Sequence, residues 1–125
     1  MKKLTPVLNV EAIEPVLPFW VDRLGCEKTA EVPHDDALGF VILKHGEVEI
    51  MYQTRASVEA DLGSQASIPL GGTSLFIEVE DLDDVERRLD GIPHVIPRRK
   101  TFYGADEIVV REPGGNLVIF AHFGG

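Results

Sequence analysis

A chain of 125 residues and 13.8 kDa accommodates one domain or two small fused modules. Its formal net charge of −9 at pH 7 argues against nucleic acid as a partner, because phosphate groups would be repelled. No apolar run is long enough to span a bilayer, and the N-terminus lacks the apolar core of a signal peptide. The single cysteine excludes an intrachain disulfide. We therefore expect a cytoplasmic protein.

The first half of the chain predicts a strand, a helix, a second strand and a hairpin. Residues 4–10 are typical of a strand, and residues 13–24 place apolar side chains at helical spacing, with Gly25 as the stop. Residues 27–32 indicate a short strand. Residues 40–52 indicate a hairpin that turns at His45 and Gly46.

The second half repeats this order after a connecting segment, residues 56–72, which we expect to contain a short helix around residues 58–62. A strand over 73–79 is followed by a short helix between Asp81 and Gly91. Residues 94–102 indicate a basic strand or loop. The last hairpin joins 108–112 to 117–123 through a Pro-Gly-Gly-Asn turn, in which we expect Gly114 and Gly115 at positive φ.

The two halves resemble each other in sequence as well as in predicted order. Residues 10–13 (VEAI) match 79–82 (VEDL), and residues 48–50 (VEI) match 118–120 (VIF). A half of this size cannot bury both faces of a sheet by itself. We therefore predict an α+β fold: one domain of two tandem βαβββ modules, residues 1–55 and 73–125, whose curled mixed sheet surrounds a cleft.

Three motifs occur in a characteristic order: residues 4–10 (LTPVLNV), 19–25 (FWVDRLG) and 112–116 (EPGGN). Their order and spacing resemble the vicinal oxygen chelate superfamily, which comprises glyoxalase, bleomycin resistance and extradiol dioxygenase proteins. The resemblance covers essentially the whole chain. It implies paired βαβββ modules around a cleft, and a homodimer as the usual state.

In that family, metal ligands lie on the first and last strands of each module. The resemblance places these positions at Thr5, Glu49, Ser74 and Ile119. Only Glu49 has a side chain found at these positions in the metal-dependent members, and the four histidines fall elsewhere. We therefore expect no metal ligands and no cofactor, with a divalent metal only in an enzymatic alternative.

Strand alternation predicts which side chains line the cleft. With Glu49 pointing inward, apolar and hydroxyl side chains from both modules join it, and Tyr103 offers a stacking surface beside the last hairpin. The predicted ligand-binding residues are Phe40, Ile42, Glu49, Met51, Ser74, Phe76, Tyr103, Val110 and Ile119. A slip of one residue in register would move a strand's residues to the opposite face.

Glu49 has two interpretations. As a functional group it is the candidate catalytic residue, acting as a general base, or the counter-charge for a cationic ligand. As a structural group it would pair with a basic side chain (Arg98, Arg99 or Lys100) or be the remnant of a lost metal site.

Three functions fit these features. The first is a metal-independent protein that binds and sequesters a cationic or aromatic small molecule, which the resemblance to bleomycin resistance proteins implies. The second is a glyoxalase- or dioxygenase-like lyase, isomerase or oxygenase that uses a divalent metal or Glu49 as a base. The third is an interaction module whose sheet face binds a partner chain. The missing metal ligands and the negative charge favour the first.

Overall fold

The computed structural model describes residues 1–66 and 68–124, and its strands form two four-stranded sheets. The first sheet contains β1 (Val7–Val10), β2 (Glu27–His34), β3 (Ala37–His45) and β4 (Val48–Thr54). The second contains β5 (Ser74–Glu78), β6 (His94–Lys100), β7 (Asp106–Arg111) and β8 (Leu117–His122).

Both sheets have the same topology. Their strand orders are β1-β4-β3-β2 and β5-β8-β7-β6. In each sheet the first strand pairs in parallel with the last, and the other neighbours are antiparallel. The prediction of an α+β fold with two tandem βαβββ units is confirmed. We call the part up to Thr54 module 1 and the part from Ser74 module 2.

The helical segment between β1 and β2 begins as a 3₁₀ turn, Glu14–Val16, and continues as a π-helical segment, Pro18–Arg23. The sequence predicts one continuous helix here, and proline explains the difference. Pro18 has no N–H to donate to the carbonyl of Glu14, which accepts instead from the N–H of Leu17. The buried face is nonetheless the predicted one and includes Ile13, Val16 and Trp20.

Both α-helices begin at a side-chain cap. α1 (Arg55–Leu62) follows Thr54, whose hydroxyl accepts a hydrogen bond from the Ser57 N–H at 3.1 Å. α2 (Leu82–Arg88) follows Asp81, whose carboxylate accepts from the Asp84 N–H at 3.0 Å. Within residues 1–66 and 68–124, no helix is both long and apolar enough to cross a membrane.

The two modules share one hydrophobic core, to which each sheet contributes one face and each module its helical segment. A buried chain of hydrogen bonds crosses this core. The Trp20 indole donates to the Tyr52 hydroxyl at 2.8 Å, and that hydroxyl donates to the Glu112 carboxylate of module 2. Burial, and then the negative charge of Glu112, raise the pKa of Tyr52, which favours the protonated hydroxyl as donor.

The β7–β8 turn places module 2 against the end of β1. Gly115 has a φ of 91°, but Gly114 does not lie in the positive region, so only one of the two predicted positive-φ glycines is found there. Gly114 is required for space instead. A Cβ atom at Gly114 would lie 2.8 Å from Val10 Cγ1 and 2.9 Å from a Glu112 carboxylate oxygen.

We expect an Asp106→Asn variant to lose less stability in acid than the wild-type protein. Arg98 bonds to Asp106 at 2.9 Å and to Asp83 at 2.7 Å, and thereby links β6 to β7 and α2. The hydrogen bond from Arg98 holds the pKa of Asp106 below its ordinary value of about 3.9. A lowered folded-state pKa stabilises the fold above the unfolded pKa, and this contribution disappears as the pH falls through the folded value.

Urea unfolding from about pH 6 down to about pH 3 measures this contribution. Asp36→Asn, in the exposed β2–β3 turn, removes the same formal charge and serves as the control. Equal acid sensitivity of Asp106→Asn and wild type would contradict the assignment.

Candidate functional site

Each sheet has an open face, which we define as the face opposite the shared core. In module 1, cross-strand partners place Ile42 beside Met51 and Lys44 beside Glu49. Because directly paired residues point to the same face, Phe40, Ile42, Glu49 and Met51 lie together on the open face. These are four of the predicted ligand-binding residues.

In module 2 the open face carries Ser74, Phe76 and Ile119, since β5 pairs Ser74 with Leu117 and Phe76 with Ile119. Val110 is a correction to the prediction. It pairs with Val118 and has 0% exposure, so it belongs to the core face. The residue that shares the open face with Ile119 is Val109.

Aromatic rings form an exposed cluster on the open face of module 2. Phe123 lies 6.2 Å, between ring centroids, from both Phe76 and Tyr103. The exposed fractions are 52% for Phe76, 43% for Tyr103 and 44% for Phe123. We call these three residues the aromatic cluster. Phe102, wholly exposed at the tip of the β6–β7 loop, packs edge-on against Tyr103.

A buried carboxylate lies beside the aromatic cluster. Glu107 has 2% exposure, and it accepts hydrogen bonds from Arg99 at 2.9 Å and from the hydroxyl of Tyr103. The bond to Glu107 raises the pKa of Tyr103. Glu107 therefore anchors the loop that carries Tyr103. The sequence interpretation missed both Glu107 and Phe123, although Phe123 follows from counting alternate residues beyond Ile119.

Glu49 forms an ion pair with Lys3 at 2.7 Å, and its side chain is 16% exposed. The expected structural partners on β6 are wrong: Arg98 and Lys100 lie near Asp106, while Arg99 pairs with Glu107. The hydrogen bond from Lys3 lowers the pKa of Glu49. This favours the ionised form and makes the carboxylate a weaker base, which is opposite to the shift that general-base catalysis requires.

The four positions that the resemblance assigns to metal ligands do not form a metal site. The Glu49 carboxylate accepts a hydrogen bond from the Lys3 ammonium group and a long one, of 3.4 Å, from the Thr5 hydroxyl. Ile119 has only a hydrocarbon side chain, which cannot bind a metal. Within residues 1–66 and 68–124, no three His, Cys, Asp or Glu side chains lie close enough to share a metal ion. These residues do not fit the metal of the metal-dependent members.

A cavity of about 360 Å³ brings residues of both modules together. It lies where the β1 and β4 ends of module 1 approach β5. Glu49 and Phe76, both predicted ligand residues, contribute to its lining, together with Lys3 and Glu78. Phe40, Ile42, Met51, Ser74 and Ile119 lie on the same open faces but outside this lining.

Comparison with known proteins gives the fold. No family model matches the chain, and no curated protein sequence matches it. Among solved structures, a lactoylglutathione lyase from Agrobacterium tumefaciens superposes with a TM-score of 0.77 at 18% identity, over 98% of this chain and 94% of that chain. A glyoxalase/bleomycin resistance protein/dioxygenase from Nocardioides gives 0.74 at 18% identity, over 100% and 87%.

A bleomycin-binding protein from Streptomyces verticillus, in complex with copper(II)-bleomycin, superposes with a TM-score of 0.68 at 24% identity, over 98% of this chain and 96% of that chain. The resemblance predicted from the sequence motifs is thus confirmed for the fold. The chain has the fold of the glyoxalase, bleomycin resistance and dioxygenase proteins.

Proposed function

We propose that this protein binds a planar aromatic small molecule, with a cationic group, without the help of a metal. The observation that carries this proposal is the aromatic cluster. Three half-exposed rings on one sheet face form an apolar surface that water solvates poorly and that a flat ring system covers well.

Charge favours a cation at the same place. Glu49 and Glu78 line the cavity next to Phe76, and the chain has a net charge of −9. An aromatic face also attracts a cation directly. Lys3 neutralises Glu49, which leaves Glu47 and Glu78 as the other carboxylates that line this cavity.

Structurally similar proteins whose ligand is known support the same function, the binding of a small molecule. The bleomycin-binding proteins among them bind bleomycin. Metal independence is supported by the poor donor set at Thr5, Glu49, Ser74 and Ile119, which offers one carboxylate, two neutral hydroxyls and a hydrocarbon side chain. An enzymatic role for Glu49 draws no support from its lowered pKa. A homodimer stays a prediction.

We expect Phe76→Ala and Phe123→Ala each to weaken the binding of a planar aromatic cation by about tenfold, since each removes one stacking partner. Isothermal titration with ethidium and with bleomycin measures the effect. Leu62→Ala on the exposed side of α1 is the control for a lost surface side chain and leaves binding unchanged.

The same titration after treatment with a chelator tests metal independence. We expect the same affinity before and after chelation. Binding that appears only with added zinc, or that survives the loss of both rings, would contradict the proposal.

A further inference from the structure

A second cavity, of about 620 Å³, lies on the helix side of the sheets, between the two modules. We call it the helix-side cavity. Its apolar lining includes residues of the core faces and of both helical segments, among them Trp20, Leu24, Cys26, Ile77, Val85 and Phe120. None of the three residues of the aromatic cluster lines it, although it shares Glu47, Val48, Ile77 and Glu78 with the cavity of about 360 Å³ beside Phe76.

Carboxylates surround the mouth of this cavity: Glu47, Glu78, Glu80 and Asp81. Among the described residues, none of these four forms an ion pair within 4.0 Å. A fifth carboxylate, Asp84, is different, because Arg88 bonds to it at 2.8 Å and neutralises it. The lining thus has an excess of negative charge over an apolar floor.

The fold itself does not require this cavity, because the equivalent junction at the other end of the molecule is filled. There the β7–β8 turn packs so tightly on β1 that a Cβ atom at Gly114 would clash with Val10. At the β3–β4 turn, a Cβ atom at Gly46 would meet no atom within 4 Å. One of two equivalent junctions is closed, and the other is open and acidic.

We propose that the helix-side cavity binds a small organic cation with an apolar body. Its volume is in the range of about 300–1,000 Å³ typical of ligand sites, and its floor offers aromatic and aliphatic contacts. The carboxylates supply the complementary charge. A second copy of the chain, with a net charge of −9, would meet repulsion at this rim. Of the four rim carboxylates, Glu80 and Asp81 line this cavity and not the one beside Phe76, so they test the site independently of the function proposed for the open face.

Trp20 makes the cavity observable, because it is the only tryptophan of the chain and it lines the floor. The experiment titrates the full-length protein with tetraphenylphosphonium and, separately, with tetraphenylborate, which has the same shape and the opposite charge. Saturable quenching of Trp20 fluorescence measures occupancy. We expect the cation to bind about tenfold more tightly than the anion, with an affinity that falls as salt is added.

Matched variants locate the site. Glu80→Gln removes a rim carboxylate that does not line the cavity of about 360 Å³ beside Phe76, and we expect about two- to fivefold weaker binding of tetraphenylphosphonium. Glu27→Gln, on exposed β2, makes the same charge change and leaves binding unchanged. Phe76→Ala, on the open face, also leaves it unchanged. Val85→Phe fills the cavity and removes saturable quenching.

Other results overturn the inference. Equal affinity for both ions would indicate apolar adsorption only, and equal effects of Glu80→Gln and Glu27→Gln would indicate a response to total charge. Loss of binding in Phe76→Ala with no change in Glu80→Gln would place the cation on the open face. If Val85→Phe does not fold, the comparison of Glu80→Gln with Glu27→Gln decides the matter.

Discussion

Replacing Tyr52 by phenylalanine is expected to lower the free energy of unfolding by about 2–4 kcal/mol. The hydroxyl joins two buried groups, accepting from the Trp20 indole and donating to Glu112. Without it, the indole N–H loses its acceptor and the carboxylate loses a donor at a site with 2% exposure. Because both groups are buried, water does not replace the lost hydrogen bonds of the Trp20 indole and the Glu112 carboxylate. The folded state therefore keeps the cost of desolvating them without the compensating bonds.

Urea unfolding of Tyr52→Phe measures this loss, and Tyr103→Phe is its matched control. Tyr103 also donates to a glutamate, but it is 43% exposed, and Glu107 keeps its bond to Arg99. We expect a clearly smaller loss from Tyr103→Phe. Equal losses in the two variants would show that the Trp20–Tyr52–Glu112 chain has no special role in joining the modules.

Replacing Gly114 by alanine is expected to cost about 1–3 kcal/mol of stability through overpacking. The added methyl group would lie 2.8 Å from Val10 Cγ1 and 2.9 Å from Glu112 Oε2, so the β7–β8 turn must move away from β1. The same movement strains the bond between Glu112 and Tyr52. The effect therefore reaches the contact between modules, although the mutation lies in a turn.

Gly72→Ala is the control for this prediction. Gly72 has no positive φ, and a Cβ atom there meets no atom within 4 Å, so alanine leaves stability unchanged or raises it slightly. Val10→Ala removes part of the clash. The double variant with Gly114→Ala should therefore lose less stability than the sum of the losses in the two single variants. Strict additivity would contradict a contact between the two positions.

Much of the fold follows from local patterns in the sequence. The repeat of strands and helices, the start of α2 near Asp81 and the buried face of the first helical segment follow from residue type and spacing, which a single sequence contains. The prediction for β7 is wrong because Ile108, Val109 and Val110 are all apolar, so the alternation of polar and apolar residues does not show which of them point to the core. Only pairing with β8, which puts Val109 beside Ile119, settles the register.

The candidate site was less predictable, because its decisive contacts are distant in sequence. Glu49 pairs with Lys3, 46 positions away, from a part of the chain that precedes β1. Judged by charge alone, the basic residues of β6 were equally good candidates for the partner of Glu49. Glu107 was missed because its environment depends on Tyr103 and Arg99 folding over it.

The shared core has a consequence for how this molecule opens. Strands of both sheets contribute to one core, and the Tyr52 hydroxyl of module 1 donates to the Glu112 carboxylate of module 2. We therefore expect that neither sheet unfolds while the other stays intact. The most protected amide protons of β3 and β7 should then exchange with solvent through the same global event, as one cooperative unit despite two nearly equal halves.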